Sequence, residues 1–224
     1  MTDFAAYVFF VNRPDLLDRS IRSMALSVGD YIIVDNSPNS GLYGPNAFRP
    51  PVPLSYSQSM NWMLKDATKR GKDFIIHFHS DATSTNPDAV AQLLEQCRLM
   101  KAEGRRWGCL WTHYDILWAI NPVALNDIGG WDTNFSAYFV DNDTRRRLNL
   151  AGWETIDTGI QGISHEGSAT INSDPKLKFL NGQTFPLFSQ YYHAKWGGAP
   201  GAERFDVPFN NPTLFGGAPS SLPK

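Results

Sequence analysis

The stretch HFHSDA, residues 77–82, sets Asp81 just past an apolar run, with His79 two residues before it. A hard divalent cation takes oxygen ligands and keeps part of its shell for water or phosphate. One acid therefore suffices where a bound diphosphate completes the set. His77 and His79, two residues apart on a strand, share a face. His77 reads as a core histidine with a satisfied hydrogen bond, and His79 lies nearer the rim. In IIVDNSPNSG, Asp35 follows a second apolar run. Its carboxylate can accept from a base N–H or a ribose hydroxyl, or it can close an Asx turn.

A third constellation spans residues 129–153, GGWDTNFSAYFVDNDTRRRLNLAGW. Its two glycines allow close backbone approach, and Trp131 with Asp132 pairs an aromatic with an acid. Asp141 and Asp143 open a helix, where acids favour the macrodipole. Arg145, Arg146 and Arg147 read as a solvated face, with one arginine pairing with an acid. His165, in ISHEGSAT, follows a short apolar stretch, and imidazole ligates divalent metals. In YYHAKWGG, Lys195 can meet a phosphate or be an ordinary surface lysine, and Trp196 can stack.

These residues need a scaffold. Residues 6–11 are a continuous apolar run with β-branched and aromatic content, the signature of a strand buried on both faces, and 31–34 read as a second strand. Leu16, Leu17, Ile21 and Met24 recur at helical spacing between them. Residues 41–53 are rich in Gly and Pro and read as a loop. A helix is expected over 55–70, a third strand over 74–78, and a further helix capped by Asn86 with Pro87 in its first turn. The polar TSTNPDA leading into it reads as helix start rather than chemistry. Strand-like runs follow near 107–111 and 116–120. Then come a helix over about 141–151 ended by Gly152, and short strands at 155–157 and 162–165. A β-α-β-α-β order implies a mostly parallel sheet flanked by helices, with ligands outside the carboxyl ends of its strands. That rule places Asn12, Asp35 and Asp81 on one rim.

The 224 residues suit one α/β domain. A formal charge of −2 gives no broad attraction for nucleic acid or anionic membrane. Cys97 and Cys109 read as reduced core thiols. The first apolar run is too short to cross a membrane and has no basic residues before it, so a cytoplasmic location is expected.

Taken in order, these motifs resemble the inverting, family 2 nucleotide-sugar glycosyltransferases of GT-A (Rossmann-like) fold, from about Tyr7 to about Ser168. FFVNRPDLLDRSIRSM resembles their opening strand and helix, and IIVDNSPNSG their nucleotide-binding Asp-Asn turn. MNWMLKDATKRGKDFIIHFHSDA resembles the helix and strand leading to a metal-binding DxD. IGGWDTNFSAYFVDNDTRRRLNLAGW resembles their Gly-Gly-Phe-Asp…Glu-Asp-x-Asp region. Two positions depart from the pattern: His79 stands at the first acid of DxD, and Val140 at the Glu of the Glu-Asp pair.

The resemblance implies a catalytic domain over 1–190 and a Gly/Pro-rich tail over 191–224 that can close over the donor. It implies a divalent metal, Mn²⁺ or Mg²⁺, on Asp81, His165 and His79. It further implies a nucleotide-sugar donor, UDP- or TDP-linked, held by Asn12, Asp35, Asn61, Asp81, Lys195 and Trp196. Trp131 and Asp132 would shape the sugar pocket, and Asp141 would be the general base of a hexosyltransferase-like enzyme. The acceptor is open: a glycan, a lipid-linked sugar, a protein or a modified base. A nucleotidyltransferase is the competing enzyme, although NRPDLL replaces the Gly-rich basic loop expected after its first strand. A non-catalytic nucleotide-sugar-binding module is the competing non-enzyme.

Overall fold

The computed structural model describes residues 2–27, 29–37 and 44–211. Two compact units emerge, 1–175 and 176–224. The first is built on a seven-stranded sheet of order β3-β2-β1-β4-β7-β6-β8. Its strands are β1 (Phe4–Phe10), β2 (Tyr31–Asp35), β3 (Ala47–Phe48), β4 (Phe74–His79), β6 (Trp107–Thr112), β7 (Leu117–Ile120) and β8 (Glu154–Asp157). Only β7 runs against the others; it pairs antiparallel with both β4 and β6. The mostly parallel α/β sheet expected from the sequence is therefore present.

The centre of the sheet follows from composition. β1 and β4 are apolar almost throughout, and nearly every residue in them is buried. Strands covered by helices on both faces need side chains of this kind. The helices α1 (Pro14–Ser23), α2 (Tyr56–Lys69) and α3 (Ala89–Ala102) supply that cover. Leu17, Met24, Leu93 and Cys97 pack with Val8, Ile76 and Phe78 in the core. The start of α2 is fixed by a capping box, in which Ser55 and Gln58 satisfy each other's backbone N–H groups.

Parallel register carries the strand ends to one rim. Phe10 lies opposite Asp35, and Phe9 opposite His79. Asn12, Asp35 and Asp81 therefore sit past the carboxyl ends of neighbouring strands, as the topology rule requires.

Several local expectations are corrected. Residues 82–84 are not a helix start but a strand, β5 (Ala82–Ser84), paired antiparallel with β9 (Ile163–His165). Asn86 does not cap α3; its Oδ1 accepts from the Asp88 N–H in an Asx turn, and the helix begins at Ala89. The loop expected over 41–53 contains β3, which extends the sheet beside β2, while 41–43 lie outside the described residues. The helices α4 (Pro122–Asp127) and α6 (Ala169–Ser173) carried no periodic signal, being only one or two turns long. The helix α5 (Val140–Leu150) matches the expected one closely.

The second unit consists of α7 (Pro175–Trp196) and the segment that folds back on its end. Arg204 and Phe205 donate their N–H groups to the Trp196 carbonyl, and Phe209 donates to that of Lys195. Tyr192 donates to Glu203. Residues 212–224 of the expected tail lie outside the described residues. Among the described residues, no helix is long and apolar enough to cross a membrane.

Candidate active site

The β5–β9 pairing assembles the centre of the site. It sets His165 opposite Ala82, next to Asp81, so residues 84 positions apart meet. Asp81 Oδ1 lies 3.1 Å from His165 Nε2, and Oδ2 accepts from the Ala169 N–H at 3.1 Å. His79 ends β4 two residues earlier, its ring centroid 5.4 Å from that of His165. One ligand atom from each of His79, Asp81 and His165 falls within 4.8 Å of the others. Burial would raise the Asp81 carboxyl, but the hydrogen bond and charge of His165, with His79, outweigh it and hold it below the ordinary range.

This donor set fits a divalent ion. Two imidazoles and one carboxylate are ligand types that divalent ions accept, although Mg²⁺ favours all-oxygen sets.

Behind His79 lies a polar group that no sequence motif singles out. Tyr56, the first residue of α2, brings its hydroxyl 3.1 Å from His77 Nε2 and 3.3 Å from His79 Nε2. Asp115, in the turn between β6 and β7, sets Oδ2 at 3.4 Å from that hydroxyl and 3.6 Å from His79 Nε2. Burial would raise the Asp115 carboxyl, but the charge and hydrogen bond of His79 bring it down to about 2. His79 itself is drawn down by burial, yet Asp115, then Asp81 and Asp141, lift it above its ordinary value. His77 is a core histidine as expected: fully buried, with Nδ1 3.1 Å from the Tyr7 carbonyl. An acid in a turn and a tyrosine after a cap match no motif. Only continuation of α2's buried stripe, Met60 and Met63, back to residue 56 hinted at an inward-facing Tyr56.

Asp141 lies in the first turn of α5, which packs so that Arg145 covers the Trp111 ring at 4.8 Å. Its carboxylate accepts from Asn142 Nδ2 at 3.1 Å and Arg145 at 3.2 Å. Burial, and then the negative charge of Asp115, push the Asp141 carboxyl up to about 6 despite Arg145. Asp143, one residue past Asn142, is fully buried and meets Arg147 Nε at 2.8 Å. The arginine run is thus not a plain solvated face: Arg145 and Arg147 each hold an acid of their own helix.

The remaining expected residues fall as follows. Asp35 is buried at the end of β2, and its Oδ1 accepts from the Ser37 N–H, the Asx turn foreseen as one alternative. Arg49 stands 3.8 Å from Asp35 Oδ2 and donates to the Ser37 carbonyl. Asn12 has a left-handed backbone, φ 55°, and its N–H donates to Ser37 Oγ. Asn61 grips the turn at Trp131, donating to its carbonyl and accepting its N–H, both at 2.8 Å. Trp131 is buried edge-on against Trp118, centroids 6.4 Å apart. Asp132 accepts from Asn134 through both backbone and side chain. In the second unit, Lys195 and Trp196 are buried at the end of α7, with Lys195 Nζ 5.5 Å from the Trp196 ring centre.

No sequence-family profile matches the chain, and a search of curated proteins returns no match. Solved structures do match. A mannosyltransferase from Pyrobaculum calidifontis, in complex with GDP-Man and Mn²⁺, is similar with a TM-score of 0.54 at 13% identity; the match covers 69% of this chain and 54% of that one. S. aureus TarS, residues 1–349, with UDP-GlcNAc is similar with a TM-score of 0.54 at 11% identity, over 75% of this chain and 61% of that one. A cytidylyltransferase from Leptospira borgpetersenii is similar with a TM-score of 0.50 at 8% identity, covering 72% and 78%. The match spans little more than half the length of each of these two glycosyltransferases. At such identities the likeness rests on the arrangement of strands and helices, and by that arrangement the chain has the GT-A fold of nucleotide-sugar glycosyltransferases.

Proposed function

We propose that this chain is an inverting glycosyltransferase that moves a sugar from a nucleoside-diphosphate sugar to an acceptor hydroxyl. The observation that carries the reading is His79, Asp81 and His165 meeting within 4.8 Å past the carboxyl end of β4. That is where an open α/β sheet binds its ligand.

Asp35 and Asn12, on the same rim, hold the nucleoside. Asp81, His165 and His79 would hold the divalent ion, which when bound supplies charge to neutralise the leaving diphosphate. Asp141 is the base. A carboxyl held near 6 is ionised at neutral pH yet basic enough to take a proton. It accepts the acceptor's hydroxyl proton while that oxygen bonds to the anomeric carbon and the bond to the diphosphate oxygen breaks. Asn61 acts indirectly, fixing the turn from which Trp131 and Asp132 frame the sugar pocket. The acceptor class follows from none of these residues.

The test is a thermal-shift screen of nucleoside diphosphates and nucleotide sugars with and without Mn²⁺. A ligand at 100 times its Kd stabilises the native state by about 2.7 kcal/mol. Stabilisation by a nucleoside diphosphate, larger with Mn²⁺, is expected; none from any nucleotide overturns the donor site. The similarity to a cytidylyltransferase supports a second reading. Release of pyrophosphate from a nucleoside triphosphate and a sugar phosphate would select it.

A further inference from the structure

The hydrogen bonds behind His79 have a direction, and that direction fixes which nitrogen His79 offers. The Tyr7 carbonyl only accepts, so His77 Nδ1, 3.1 Å away, carries the proton and His77 Nε2 the lone pair. Tyr56 has one proton, and its nearest acceptor is that lone pair, at 3.1 Å, ahead of Asp115 Oδ2 at 3.4 Å. With the proton so placed, the Tyr56 oxygen accepts from His79 Nε2 at 3.3 Å. Asp115 Oδ2, 3.6 Å from the same nitrogen, adds a negative charge on that side. His79 thus carries its hydrogen on Nε2. Its Nδ1 makes no hydrogen bond among the described residues and is the nitrogen left for a metal ion.

We infer that Asp115 and Tyr56 are positioning residues that make His79 a metal ligand, the negative charge that an acid at residue 79 would bring coming instead from the β6–β7 turn. The inference rests on the metal-dependent reading above and names which residues complete it. An imidazole backed by a carboxylate is oriented, fixed in one tautomer and made a better donor. The arrangement accounts for a histidine at a position where the resemblance implies an acid. It also gives a function to Asp115, which no motif singled out. A chain of hydrogen bonds, from the Tyr7 carbonyl on β1 through buried His77 on β4 to half-buried Tyr56 on α2, ends at one nitrogen of His79.

The experiment is a titration of the full chain with Mn²⁺ alone, followed by calorimetry and by the EPR signal of the free ion. Asp115→Asn and Tyr56→Phe are each expected to weaken Mn²⁺ binding about 10–100-fold, as outer ligand partners do. In a His79→Ala background neither change should weaken it further. In a His79→Asp background, where no imidazole is left to orient, Asp115→Asn should weaken Mn²⁺ binding less than it does in the wild type. A purely structural role predicts no such loss of effect. Equal weakening in the wild-type and His79→Ala backgrounds overturns the inference. So does Mn²⁺ binding that neither single change alters, which leaves the metal reading standing. A wild-type chain that binds no Mn²⁺ overturns the metal reading and this inference together.

Discussion

Replacing Asp141 by Asn separates chemistry from stability, and the structure sets the sign of both effects. The side chain is 16% exposed, and its carboxyl titrates near 6 in place of 3.8. At about 1.36 kcal/mol per tenfold change in proton affinity, folding carries a penalty of about 3 kcal/mol for the ionised form. The folded-state value is raised, so this group favours the fold below pH 3.8, and the contribution disappears as pH rises through 6. At pH 7.5 the wild type bears the full penalty. Asparagine bears none, although it exchanges the charged bond to Arg145 for a neutral one. The variant should therefore be more stable at pH 7.5 by a net ~1–3 kcal/mol, a melting temperature higher by roughly 2–12 °C for a chain of this size. The gain should vanish near pH 4. Transfer should fall about 10²–10⁴-fold, the ordinary worth of a general base, while nucleoside-diphosphate affinity stays within twofold. Scanning calorimetry across pH and a coupled nucleoside-diphosphate-release assay measure the two effects. Turnover within tenfold of wild type refutes the base assignment. A lower melting temperature at pH 7.5 refutes the buried-charge reasoning.

Wild-type turnover should also decline as pH drops below about 6, where Asp141 takes up a proton, and a pH-rate profile checks this. Asp81→Asn keeps the shape but removes the charge that meets His165 and the Ala169 N–H. It should weaken Mn²⁺ binding by more than the 10–100-fold typical of outer partners, read by calorimetry. Gly130→Ala should lower thermal stability by about 2 kcal/mol or more, because φ is +76° and a Cβ would sit 2.4 Å from Asn61 Oδ1. Arg147→Ala removes the guanidinium that meets the fully buried Asp143. Denaturant unfolding should show a loss of about 3 kcal/mol or more.

Elements whose periodicity reflects burial were legible before folding. β1, β2, β4 and α5 lie where apolar runs and helix signals placed them, because those signals are consequences of which faces are covered. Errors came where local chemistry had two outlets. Asn86 satisfies an N–H in a turn as readily as at a helix start, and Ala82–Ser84 became a strand because β9 offered a partner 80 residues on. Asp35 shows the same ambiguity, its carboxylate closing the Asx turn at Ser37. No local rule weighs a distant strand or chooses between two good acceptors.

By itself the sequence determined the parallel α/β arrangement and the rim of Asn12, Asp35 and Asp81, since register follows from burial and strand order. It also drew attention to Asp81 and His165 by residue type and setting, and to Asp141 through the family resemblance. Tertiary structure alone decided that His165 meets Asp81, through the β5–β9 pair, and that Asp115 and Tyr56 stand behind His79. The physical reason is range. Periodicity reports how each segment faces the core, whereas a pKa moved to about 6 or an imidazole fixed in one tautomer depends on charges and donors brought from other segments.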